Sequence, residues 1–288
     1  MAPSFFYAMR QWGMVAADAK INAEAVRWTW FSCPAPMDAG IMATGTEYKE
    51  KRGMAMRRRI GMAVLVGVCM GVEPAMAQSL LLGGTQLAPG NSYSYLGAIM
   101  PFAGARLGSG WFGTVFANYL TYHYNTISNN TTSTVSVKAP GIQGGLGYAW
   151  QGAAYQLALS GALGYQYFSV HPDLGAGGPV GGIVTFTPQI QASYDFTPML
   201  YASTIASYSF GQRAYWSRFR GGIRPVSWLS FGPEGILQGG VNYRIHQVGA
   251  FISVALGDGW GVEGEGGVNY TSGLGSTGYG GFSFTKTL

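Results

Sequence analysis

The chain has 288 residues, 46 of them glycine, with 14% aromatic and only 10% charged residues. So few charges are unusual for a soluble protein, where about a quarter is ordinary, and the lack of a G-X-Y period excludes collagen. Nine of the 17 Lys and Arg precede Ala77, leaving eight basic against six acidic residues after it, a balance of +2 that offers no nucleic-acid surface.

The first segment in chain order reads as a leader. Arg57, Arg58 and Arg59 form a positive start, Ile60 to Val72 an apolar run, and Ala75-Met76-Ala77 a small-x-small cleavage site that leaves Gln78 as the new N-terminus. The apolar run is too short to span a bilayer as a helix. Residues 1–53 carry no clean period and stand in front of this complete signal. They read as a start-site extension, with Met54 or Met56 as initiator, 54–77 as the secretion signal and 78–288 as the exported body. Both cysteines, Cys33 and Cys69, fall in the leader. The body therefore has no disulfide, no Cys-ligated zinc and no Cys nucleophile.

From Gln78 onward the residues alternate, broken by Gly, Pro, Asn and Asp, with no convincing helix. Twelve segments follow: 78–87, 92–103, 111–123, 136–150, 153–168, 182–195, 199–210, 214–225, 228–239, 246–256, 260–270 and 277–287. The first three are weakly amphipathic, so ten is the alternative count. In 155–167, Tyr155, Leu157, Leu159, Leu163, Tyr165 and Tyr167 fall on one face, and Gln156, Ala158, Ser160, Ala162, Gly164 and Gln166 on the other. The run 184–194 repeats this with Val184, Phe186 and Ile190 against Thr185, Gln189 and Gln191. Successive side chains of a strand point to opposite sides, so each segment has one greasy and one wet face.

A soluble sandwich also alternates, but its wet face is usually rich in Lys and Glu. Here that face is Gly, Ser, Thr and Gln, and the apolar face ends in Tyr, Trp and Phe, as aromatic girdles do at bilayer interfaces. The expected fold class is all-β: an antiparallel transmembrane β-barrel of about 12 strands with up-and-down topology, in contact with outer-membrane lipid. An even count returns the C-terminus to the periplasmic side of the N-terminus. Longer outer links are expected at 125–135, 169–181, 240–245 and 271–276, and tight turns at 151–152, 195–198 and 257–259.

The strong charges fall on the wet faces. Arg218, Arg220 and Arg224 share a face of 214–225, across a turn near 225–227 from Glu234. If that turn is odd in length, Glu234 shares their side. Glu263 and Glu265 lie two apart on the wet face of 260–270. Charges at membrane depth are expensive and pair inside, so these six form a lumen charge cluster, either a structural brace or a polar constriction. The two glutamates lack any sign of a sugar cleft, which a glycosidase needs. Trp216 shares the arginine face and offers a ring for sugar stacking. His123, His171 and His246 are scattered without metal-ligand spacing. No metal, cofactor or catalytic set is expected.

Tyr215-Trp216-Ser217-Arg218-Phe219-Arg220, Phe231-Gly232-Pro233-Glu234 and Val248-Gly249-Ala250-Phe251 resemble the cellulose biosynthesis protein BcsS family of Gram-negative bacteria. Ser92 to Ala98 and Tyr279 to Phe284 are similar to it as well. The resemblance covers most of 80–288 and implies an outer-membrane barrel accessory to cellulose biosynthesis or secretion. As scaffold or narrow glucan pore, it would have the glucan chain and cellulose synthase subunits as partners. A small-solute porin and an outer-membrane lipid-modifying enzyme, with His123 as its base, are the alternatives.

Overall fold

Alternation becomes strand wherever the sequence keeps it up. In the computed structural model, which describes residues 78–128, 131–172, 179–240, 243–271 and 275–288, the strands are β1 (Leu80–Ala88), β2 (Asn91–Pro101), β3 (Gly110–Ser128), β4 (Thr131–Gln151), β5 (Tyr155–His171) and β6 (Gly181–Asp195). They continue as β7 (Leu200–Ser209), β8 (Ala214–Val226), β9 (Leu229–Gly239), β10 (Arg244–Gly257), β11 (Trp260–Thr271) and β12 (Gly275–Thr287). The expected leader, with Ala75 and Ala77, lies outside the described residues; Gln78 stands just before β1.

Each strand pairs antiparallel with its neighbours in sequence, and β1 pairs with β12, from Leu80 opposite Thr287 to Leu87 opposite Gly280. The sheet thus closes into a barrel, and no edge is left to pair with another chain. One of the two-residue connections, Asp258-Gly259, has φ of 48° and 75°, the left-handed pair that a type I′ hairpin turn requires.

The expected asymmetry of the links is found only in part: 172–180 is a nine-residue link, and 152–154, 196–199 and 258–259 are tight. Residues 125–135, read as an outer loop, are mostly ladder: Asn125 pairs with Thr134 and Ser128 with Thr131. A run of Ser, Thr and Asn hides the alternation that Tyr122, Tyr124, Val135 and Val137 maintain on the inner side. The end expected to have only tight turns carries the eight-residue link 102–109, and 89–90 at the other end is a two-residue turn.

The surface is inverted relative to a soluble protein. Val184, Leu163 and Val248 are 71%, 66% and 63% exposed, whereas Gln191, Gln166 and Gln247 are 2–3% exposed. The interior itself is uneven. From β5 to β12 the inward residues are chiefly Gln, Ser, Thr and the charged groups. From β1 to β4, beside Thr114, Asn118 and Gln143, they are chiefly Leu80, Leu82, Tyr93, Tyr95, Phe112, Phe116, Tyr122 and Val137, which form one cluster with Ile205, Trp216 and Ile236 of the far wall. The weak amphipathicity of the first segments is therefore real: Ser92 and Ser94 face outward beside inward Tyr93 and Tyr95, and Thr114 and Asn118 face inward beside Phe112 and Phe116. The expectation of a wet lumen face fails there, because this third of the wall fills the bore.

Glycine and aromatic residues meet across strands. Gly97 stands opposite Phe116, Gly147 opposite Phe112, and Gly222 opposite Tyr201; a Cβ on any of these glycines would fall on the facing ring. Each ring covers backbone its glycine leaves bare, the aromatic rescue of glycine in a sheet.

Candidate functional site: the lumen charge cluster

A bulge decides whether the cluster exists. Val226 pairs with Leu229 across a two-residue turn, but Ile223 pairs with Phe231, so β8 holds one residue more than β9 there. Arg224-Pro225 supplies it. The shift sets Arg220 directly opposite Glu234. Without it Arg220 would face Gly235, and Glu234 would point outward.

Five of the six expected residues come together: Arg218, Arg220, Glu234, Glu263 and Glu265. The Arg220 guanidinium donates to Glu263 through two parallel bonds of 3.0 Å, from Nη1 to Oε2 and from Nη2 to Oε1. It also donates from Nε to Glu234 Oε2 at 2.5 Å and from Nη2 to Glu265 Oε2 at 2.9 Å. Such forked, charge-assisted bonds are the strong class. Arg218 Nη1 stands 3.6 Å from Glu265 and 4.0 Å from Glu234. None of these five side chains is more than 3% exposed. Glu263 lies three strands from Arg220, roughly 14 Å along the sheet, so the arginine crosses the interior rather than following the wall.

Three residues that parity did not single out complete the network. Gln86 Nε2 donates to Glu265 Oε1 at 3.0 Å, and the Tyr279 hydroxyl donates to Glu234 Oε1 at 3.2 Å. The ring of Phe251 lies 4.3 Å from the Arg220 guanidinium carbon. Tyr279 reaches Glu234 over Gly267 and Gly249, the intervening inward positions of β11 and β10. A Cβ on Gly249 would come within 2.5 Å of the Tyr279 hydroxyl.

Arg224 does not join. It bonds Asp195 at 2.7 Å and lies 3.9 Å over the Tyr201 ring, nearer the end that carries the termini. Four residues along β8 put it roughly 13 Å from Arg220. Asp195, the last residue of the expected segment 182–195 and the first of the turn 195–198, shares by its odd number the face of Gln189, Gln191 and Ser193.

Trp216 points inward, 4% exposed, with the Arg218 guanidinium 5.5 Å from its ring. His123 is at the rim, its Nδ1 3.2 Å from the Gly90 carbonyl oxygen. The paired glutamates of β11 are both committed to arginine. Among the described residues no group of His, Asp and Glu is placed to hold a metal ion.

Residues 80–288 match the family model described as cellulose biosynthesis protein BcsS. No curated protein matches the sequence. Among solved structures the chain is similar to the KdgM porin, at 10% identity over 73% of this chain and 99% of that one, with a TM-score of 0.46. The same porin in complex with disordered oligogalacturonate gives 11%, 73%, 99% and 0.47. The translocator domain of the autotransporter NalP from Neisseria meningitidis gives 10%, 74%, 90% and 0.43.

Proposed function

Because the chain belongs to the cellulose biosynthesis protein BcsS family, we propose that it is an outer-membrane barrel serving cellulose production as a closed anchor for the export machinery, without catalysis of its own. One observation carries this reading. The outside of the barrel is apolar, while its inside is filled by the aromatic wall of β1–β4 and by an ion cluster no more than 3% exposed. An apolar exterior belongs in lipid, where a closed barrel leaves no backbone group unpaired. A filled interior does not conduct. What remains for partners is the two ends: the turns beside the termini, on the periplasmic side, for cellulose synthase subunits, and the projecting β3–β4 hairpin outside.

A second reading, a narrow conduit for a neutral glucan, is favoured by the inward amides of Gln189, Gln191, Gln238 and Gln247, each with an atom lacking a hydrogen-bond partner in this packed state. If the lumen widened, a hydroxyl-rich chain would satisfy them, with Trp216 as its stacking ring. Planar-bilayer recording of the purified mature chain separates the two. The anchor gives no steady current, and large stable steps would end that reading in favour of the conduit.

A further inference from the structure

On the outer face of the wall that carries Arg220 and Glu234 there is a hollow. Tyr155, Tyr194, Ala202 and Gly221 follow one another across β5–β8 on that face, opposite one another in register. Ala192 and Phe219 belong to the adjoining row. Together with four further outward residues, and with the row from Gln156 through Ser193, Ser203 and Arg220 to Glu234 beneath them, they line an open groove of about 840 Å³. The rings of Tyr155, Tyr194 and Phe219, each about half exposed, form its walls. Alanine and glycine form its base, so no side chain of the protein fills it.

The geometry points to a seat for one phospholipid acyl chain, drawn from the leaflet next to the termini. The inference rests on the membrane reading above. The groove is continuous with the apolar belt on either side, and it offers a long slot lined by carbon with two tyrosine hydroxyls at the terminal end, where a headgroup would lie. It is too small for a second barrel: ten residues line it on the outer face, against the roughly 20–30 residues a side of a stable protein interface. A slender, flexible, apolar occupant fits, and acyl chains are what surrounds a membrane barrel. Burying methylenes against the slot would hold this lipid longer than its neighbours on the smooth belt.

The test is native mass spectrometry of the mature barrel, extracted in mild detergent and incubated with palmitoyl-oleoyl phosphatidylethanolamine. The wild type is expected to retain one lipid. Ala202→Phe, which puts a ring into the slot, should retain about tenfold less, the effect of losing contact for roughly two methylenes. Ile252→Phe, elsewhere on the belt, should behave as wild type. Folding of each variant is checked by heat-modifiable gel mobility, and Ala192→Leu serves if Ala202→Phe does not fold. A wild type that retains no lipid, equal retention by the filled variants, or equal loss by Ile252→Phe would overturn the proposal. So would a detergent-stable dimer that Ala202→Phe splits, since a second copy would then occupy the groove. A chain soluble without detergent would instead remove the membrane reading itself.

Discussion

Arg220 faces Glu234 because β8 holds one more residue than β9 between Ile223 and Val226. The irregularity at Arg224-Pro225 is thus what turns a carboxylate into the barrel. Deleting Pro225 should slip the register by one and reverse the faces on one side of the hairpin. The expected result is loss of the heat-modifiable folded band, whereas Pro225→Ala, which keeps the residue count, retains it.

Arg220 is bonded to all three glutamates of the cluster. Replacing it by Met leaves buried carboxylates without their main partner, a loss of about 3–5 kcal/mol. Urea titration of the barrel in detergent should show it as a lower midpoint. Arg220→Lys should recover little, since an ammonium cannot make the paired bonds to Glu263. Adding Glu263→Gln and Glu234→Gln to Arg220→Met should restore part of the loss.

Gly97 and Phe116 should behave as one unit. The three atoms nearest a methyl at Gly97 all belong to the Phe116 ring, so Gly97→Ala is expected to cost about 1–3 kcal/mol through overpacking. In Gly97→Ala/Phe116→Leu that cost should largely vanish. Additive losses in a double-mutant cycle would show that the ring is not the obstacle.

The β3–β4 hairpin stands beyond its neighbours. β2 reaches only Tyr122, through Asn91, and β5 reaches only Ser136, through His171. Replacing residues 125–134 by Asn-Gly keeps Tyr124 opposite Val135 across a favoured turn. The shortened barrel should unfold at the same urea concentration as wild type. Val135→Asp, which buries a charge, should lower that midpoint steeply.

Much of the wall from β5 to β12 was legible because two independent signals agree there: residue size and polarity alternate in phase, as at Tyr155–Tyr167. The early strands were harder because their aromatics point inward: Tyr93 and Tyr95 are buried while Ser92 and Ser94 face outward, the reverse of Tyr155–Tyr167. The cluster could be read from parity in Arg218, Arg220, Glu263 and Glu265. Its dependence on a bulge could not, since a two-residue turn and an extra residue leave no mark that an odd turn would not. Gln86 and Tyr279 were missed for another reason. They reach the glutamates around the curve of the wall, and proximity of that kind has no period in sequence.

The seam has a kinetic consequence. Leu80 bonds into the ladder beside Thr287, so the first strand finds its second partner only when the last strand arrives. Until then the inward aromatic and aliphatic side chains of β1 to β4 have no far wall to pack against. Shutting the sheet is an event of very long sequence separation, of the kind that folds slowly, and the early third of the barrel is the portion left longest without its packing partners.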